Sequence, residues 1–229
     1  MTGLVLKLSY NYIGETPVGG ICGSFFFIRE NLAATAHHVL NTNDFKPNDG
    51  YLNCQYWLIV EPDIAIELNR QDLIEFPEID STAIKFDRKF NISIRKIATT
   101  LSQAGQPCLS EGFSGGQMPE VIASWGSKGL IIKGCNYNNT SANGIGYIKS
   151  IKTLNVNSAD LKMQNIHAFE TSYGGIQGMS GGPLIDKESN EIIGLMSMGL
   201  PADNQIKQTL FAVDIGYIMA KLNNLKYLS

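Results

Sequence analysis

Gln177-Gly178-Met179-Ser180-Gly181-Gly182-Pro183 is the stretch on which the reading of this 229-residue chain turns. A serine set among glycines marks a place where the backbone bends tightly and comes close to another molecule, and glycine permits both. Such a turn can aim two backbone N–H groups at one point, as the stabilisation of an oxyanion requires. The same pattern also describes the nucleophile elbow of α/β-hydrolases. The reading without chemistry is a glycine-rich hairpin turn with an incidental serine.

The order of the histidines separates these readings. The chain has three, His37, His38 and His167, and none follows Ser180. An α/β-hydrolase needs its base after the nucleophile, so that order fails. The subtilisin order needs an aspartate ahead of the histidine, and residues 1–36 contain none. The serine triad order that remains is His, Asp, Ser.

Ala34-Thr35-Ala36-His37-His38-Val39 resembles the T-A-x-H motif of the chymotrypsin-like serine endopeptidases, in which a threonine stands three residues before the base. That register makes His38 the base rather than His37. Cys22-Gly23-Ser24-Phe25-Phe26-Phe27 resembles the strand leading to that histidine, and Gly194-Leu195-Met196-Ser197-Met198-Gly199 resembles the family's G-x-x-S-W-G strand. The resemblance implies an all-β fold of two six-stranded antiparallel β-barrels with a C-terminal α-helix. Residues 1–103 would form the barrel carrying His38 and the acid; residues 104–229 would form the barrel carrying Ser180, plus the helix.

Two aspartates stand in strand-like contexts. Asp63, in Pro62-Asp63-Ile64-Ala65, superficially matches the family's acid string. Glu61-Pro62-Asp63, however, lies between the apolar runs 55–60 and 64–69 and has the chemistry of a hairpin turn. Asp80 precedes Ser81-Thr82-Ala83-Ile84-Lys85-Phe86, whose alternation suits the strand after the acid. Asp80 is the favoured acid, with Asp63 next and Asp72 or Asp87 behind it.

By this resemblance Ser180 is the nucleophile, His38 the base and Asp80 the group that orients it. Histidine suits the base because its unperturbed pKa of about 6.5 lets it take and return a proton near neutrality. The N–H groups of Gly178 and Ser180 would form the oxyanion hole. Gly174 would lie at the base of the primary specificity pocket, and its lack of charge argues for apolar or small side chains there. Ser197, Met198 and Gly199 would pair with the substrate backbone, Met198 replacing the usual tryptophan with a softer wall. Met179 stands where digestive members carry an aspartate, so activation by an inserted N-terminus is not expected. The expected substrate is a protein or peptide, with a regulatory or inhibitory protein as a further partner. Neither a metal nor an organic cofactor is called for. The alternatives are an inactive protein-binding module of the same fold and a serine esterase on the same scaffold.

Around these motifs the chain reads as short strands: 23–28, 55–60, 64–69, 81–86, 129–134, 146–154, 166–172, 182–187, 191–198 and 209–214, separated by turn clusters at 41–50, 112–119 and 136–144. Helical periodicity is confined to 214–225, where Asp214 could cap and Ile215, Ile218, Met219 and Leu222 share a face, and to a short turn around 36–40. Hydrophobic residues make up 44% and charged residues 17%, a globular composition, and the net charge of −3 argues against nucleic acid or an anionic membrane as partner. Residues 1–15 lack the continuous apolar stretch of a signal peptide. Cys22, Cys54, Cys108 and Cys135 form no C-x-x-C pair and read as four buried thiols, which with the missing leader gives a cytoplasmic expectation, delivery into another cell being the competing placement.

Overall fold

Leu4, Leu6 and Leu8 point to one side of the first strand and Val5 to the other, and all four are fully buried. This strand, β1 (Thr2–Tyr10), is therefore covered on both faces, which explains why it reads as an apolar run rather than a clean alternation. The computed structural model describes residues 1–40, 50–115, 119–127, 129–137, 141–157, 162–200 and 209–228. Most of the 41–50 turn cluster and the centres of the other two lie outside the described residues.

After β1 come β2 (Val18–Arg29), β3 (Leu32–Ala36), β4 (Asn53–Glu61), β5 (Ile64–Leu68), β6 (Leu73–Phe76) and β7 (Ser81–Lys85). They form one antiparallel sheet in the order β5-β4-β1-β2-β3-β7-β6. The first sheet thus has seven strands and, among the described residues, stays open between β5 and β6. Pro62 and Asp63 make the tight connection between β4 and β5, as their turn chemistry predicts. Phe25, Phe26, Phe27, Phe86 and Phe90 fill the core of this half.

The second half contains β8 (Pro107–Phe113), β9 (Glu120–Gly126), β10 (Gly129–Asn136), β11 (Ser141–Asn157), β12 (Lys162–Thr171), β13 (Pro183–Asp186), β14 (Ile192–Leu200) and β15 (Thr209–Asp214). Six of these close into a barrel, β11-β12-β15-β14-β13-β8, while β9 and β10 form a separate two-stranded ribbon. Leu130, Ile132 and Cys135 of the ribbon pack with Leu4, Leu6, Leu8, Trp57 and Ile59. The ribbon is what covers the outer face of β1 and β4. Each expected strand overlaps one of these to within a residue at the ends or lies inside it, while β1, β3, β6, β8 and β9 were not expected.

The helix α1 (Ile215–Asn224) begins where expected: the Asp214 side chain accepts the Gly216 N–H at 2.8 Å. Ile215, Ile218 and Leu222 are buried and Met219 is half-buried. No helix among the described residues is long and apolar enough to cross a membrane. All four cysteines are free thiols, but only Cys108 and Cys135 are buried; Cys22 and Cys54 are partly exposed, which corrects the expectation of four buried thiols.

One buried charge braces the barrel. Glu170, on β12, accepts from Lys149 Nζ at 2.7 Å, from Ser150 Oγ at 2.7 Å and from Lys152 Nζ. Burial alone would raise its carboxyl pKa, but the donors from Lys149, Lys152 and Ser150 outweigh it and hold the group at about 2. A depressed folded-state pKa stabilises the fold above the ordinary value of 4.5, and the contribution is lost as pH falls through about 2. Thermal unfolding of the wild type and Glu170→Gln should therefore differ most above pH 4.5 and converge towards pH 2. A constant gap in Tm across that range would refute the clamp.

Candidate active site

The last residue of β3 and the first of β7 are register partners, Ala36 opposite Ser81. That pairing sets the residue following β3 against the residue preceding β7, His37 against Asp80, and the His37 N–H donates to the Asp80 carbonyl at 3.1 Å. Asp80 ends the 3₁₀ turn Pro77–Ile79 in a left-handed conformation, φ 45° and ψ 47°, which a short polar side chain tolerates better than most. Its carboxylate is fully buried. Oδ1 accepts the backbone N–H of His38 at 3.1 Å, and the two oxygens face His38 Nδ1 at 3.0 and 2.9 Å. The Ser197 hydroxyl, from β14 in the other barrel, also donates to Oδ2. A carboxylate on Nδ1 favours the tautomer that carries its proton on Nδ1 and its lone pair on Nε2.

His37 turns the other way: its Nδ1 lies 3.3 Å from Thr82 Oγ1 and 3.6 Å from Glu75 Oε1. Asp63 is exposed in the β4–β5 turn and Asp87 is exposed after β7, while Asp72 accepts the Asn69 N–H in a surface turn. His167 sits on β12, edge-on to Tyr217 against the start of α1. Of the titratable candidates, then, the fold joins His38 and Asp80.

Ser180 lies in a turn whose carbonyls are tied back. The Gln177 carbonyl accepts from Gly115 N at 2.6 Å and the Met179 carbonyl from Gly182 N at 3.0 Å. With those peptide units anchored by their oxygens, their N–H groups, on Gly178 and Ser180, face the opposite way, and neither finds an acceptor among the described residues. Two unpaired donors from alternate residues are the arrangement an oxyanion needs. Gly178 has φ +93° and Gly181 has φ +86°. A Cβ on Gly178 would lie 2.3 Å from the Gly115 nitrogen, and one on Gly181 would lie 2.1 Å from the Ser24 carbonyl oxygen. Only glycine fits at either position. Met179 between them is buried, as an apolar residue at that place should be.

The Ser180 hydroxyl donates to the Ser197 carbonyl at 3.1 Å. Ser197 therefore links both groups: its hydroxyl reaches the carboxylate beneath the imidazole and its carbonyl holds the serine. Sequence reasoning gave Ser197 a substrate-pairing place only; the bond to Asp80 leaves no signal in spacing. Strand β13 pairs with β14 only as far as Pro183 opposite Leu195; further along β14, Met198 and Gly199 pair with Phe211 and Leu210 of β15, Ser197 lying at a bulge, and no strand pairs their other side among the described residues. Gly174 is exposed ahead of the turn. Among the described residues no group of three or more His, Cys, Asp or Glu side chains could hold a metal ion.

A seven-stranded half-barrel and a closed barrel, with His and Asp on one and Ser on the other, make the two-barrel chymotrypsin-like fold. No family model and no curated protein matches the chain. Solved structures do. The HtrA-type protease AlgW with a decapeptide superposes with a TM-score of 0.65 at 14% identity, covering 99% of this chain and 64% of that one. The Rv3671c protease from M. tuberculosis in its active form gives 0.61 at 16% identity, with 96% and 79% covered. The serine endoprotease from Yersinia pestis gives 0.58 at 16%, with 97% and 62% covered. The chain spans about three fifths of the HtrA-type chains.

The crowding at Gly178 has a thermal consequence. Gly14 has a comparable φ of +100° but nothing within 4 Å of an added Cβ. Gly14→Ala should cost only the backbone strain of a positive φ, about 1 kcal/mol. Gly178→Ala should cost about 3 kcal/mol because the Gly115 backbone must move as well, a difference in Tm of roughly 5 °C. Equal melting temperatures in calorimetry would show that the turn is slack.

Proposed function

We propose that the chain is a serine endopeptidase acting through His38, Asp80 and Ser180. The observation that carries this reading is the fully buried Asp80 carboxylate on His38 Nδ1, across the barrel seam from a serine turn with two N–H groups that find no acceptor among the described residues. In the reaction Ser180 Oγ leaves the Ser197 carbonyl, gives its proton to His38 Nε2 and bonds to the substrate carbonyl carbon. The carbonyl oxygen takes up the electron pair as an oxyanion, held by the N–H groups of Gly178 and Ser180. Collapse expels the amine, which receives the proton from His38. Water then repeats the sequence on the acyl-enzyme, and Asp80 keeps the imidazole in its tautomer throughout.

The substrate strand lies along Ser197–Gly199, whose outer edge has no strand partner among the described residues and suits an added antiparallel one. Its side chain at the cleaved bond enters beside Gly174 and Gly175. Leu210 limits that space, since a Cβ on Gly175 would lie 2.6 Å from Leu210 Cδ1. With an aliphatic wall and no charge from Gly174, small apolar side chains fit best. The Ser180–Ser197 bond favours a second reading, an inactive binding module in which the serine never reaches the imidazole.

A fluorophosphonate probe separates the two. The wild type should label at Ser180, and Ser180→Ala should not. Peptide hydrolysis should fall by about 10³-fold or more in Ser180→Ala and His38→Ala, and by about 10⁴-fold in Asp80→Asn, where the tautomer is lost. His37→Ala should stay within a few-fold of wild type. A peptide library should be cut after alanine, valine or threonine. An unlabelled wild type ends the protease reading; strict cleavage after Arg or Lys ends the pocket assignment alone.

A further inference from the structure

Ser24 is a polar side chain on β2 with no exposure at all. It belongs to the first sheet, yet its bonds run to the serine turn of the second barrel. Its hydroxyl donates to the Gly178 carbonyl at 2.7 Å and accepts the Phe113 N–H at 3.0 Å. Its backbone N–H donates to the Ser180 carbonyl at 2.8 Å. Its own carbonyl is held by Thr35 Oγ1 at 2.7 Å, three residues before His38.

These bonds complete an accounting of the turn. Four consecutive carbonyls, those of Gln177, Gly178, Met179 and Ser180, are held by Gly115 N, Ser24 Oγ, Gly182 N and Ser24 N in that order. Two of the four holders belong to one residue. The peptide joining Gly178 to Met179 lies between the two units whose N–H groups face the oxyanion position, so its tilt sets the angle between those donors. Its N–H, on Met179, is held by the Ile176 carbonyl at 3.1 Å, and among the described residues the one bond on its oxygen comes from the Ser24 hydroxyl. That hydroxyl has a single proton, and because it also accepts from Phe113 its orientation is fixed: the proton must point at Gly178.

We infer that Ser24 is a positioning residue for oxyanion stabilisation, its side-chain hydroxyl locking the Gly178–Met179 peptide so that the Gly178 and Ser180 N–H groups converge. The inference rests on the peptidase reading for its kinetic consequence and on the hydrogen bonds alone for its geometric one. It also places the oxyanion hole under the control of the sheet that carries His38, through Thr35, Ser24 and Gly178.

Ser24→Ala removes the donor to Gly178 and the acceptor for Phe113 while leaving the backbone bond to Ser180. In Ser24→Ala, kcat on a peptide ester should fall by about tenfold or more, since small misplacements of reacting groups carry costs of that order. KM should stay within about threefold, and a peptide boronate, whose tetrahedral adduct uses the hole, should lose affinity in parallel with kcat. Ser24→Thr, which keeps the hydroxyl, should recover most of both. In ¹⁵N spectra the Gly178 and Ser180 amides should shift in Ser24→Ala and return towards wild type in Ser24→Thr. Unchanged kcat, boronate affinity and amide shifts in folded Ser24→Ala would overturn the assignment, as would equal losses in Ala and Thr variants of equal Tm. If the wild type neither labels nor turns over, the peptidase reading falls, and the amide shifts still decide whether Ser24 orients the turn.

Discussion

A carboxylate with no solvent exposure is the constraint around which the two halves are arranged. An ionised group taken out of water is tolerated only when donors replace its hydration. Asp80 receives three: the backbone N–H of His38, the Nδ1–H of the same residue, and the hydroxyl of Ser197. Two come from the sheet that holds Asp80 and one from the opposite barrel. Removing either side would leave the charge short of partners, so its burial couples the alignment of the imidazole to the docking of the barrels. The left-handed backbone at Asp80 fits this picture, because strain at such a residue persists only where the surroundings over-determine it.

The serine turn obeys a complementary rule. Backbone groups in a protein interior are almost always paired, and here the carbonyls are paired while two N–H groups find no acceptor among the described residues. That asymmetry is created by what reaches the turn from outside: Gly115 from the segment after β8, Gly182 from the turn itself, and Ser24 from β2. The glycines at 178 and 181 are required because those holders approach closer than a Cβ allows. The unsatisfied donors are thus a product of tight packing behind the turn.

Features encoded within a few residues were legible beforehand. The register of Thr35 against His38 pointed to the tandem histidine whose Nδ1 faces the Asp80 carboxylate, and the turn chemistry of Pro62-Asp63 ranked Asp63 behind Asp80. Both are local rules. Strand β1 escaped because Lys7 and Tyr10 interrupt its apolar run and because its second buried face depends on the β9–β10 ribbon, more than a hundred residues away. The partners of the turn were illegible for the same reason. Nothing in Cys22-Gly23-Ser24 announces that the serine will bond to Gly178, and nothing in the glycine-rich cluster after β8 marks Gly115 as the holder of Gln177. The seventh strand of the first sheet likewise follows from pairings that no spacing records.

Ser197 carries the last step of the synthesis. Its hydroxyl serves the acid and its carbonyl holds the Ser180 hydroxyl, so one residue of β14 touches both ends of the proposed relay. Among the described residues no strand pairs with the outer edge of 197–199, and a peptide added there as an antiparallel strand would offer its own N–H to the Ser197 carbonyl. An amide N–H and the Ser180 hydroxyl would then compete for one acceptor. A hydroxyl displaced from it needs another partner, and in the proposed reaction the neutral Nε2 of His38, held in that tautomer by Asp80, is the acceptor it turns to. Occupancy of the substrate edge would by this logic be what delivers the nucleophile to its base, so the 3.1 Å bond between Ser180 and Ser197 is compatible with the proposed chemistry.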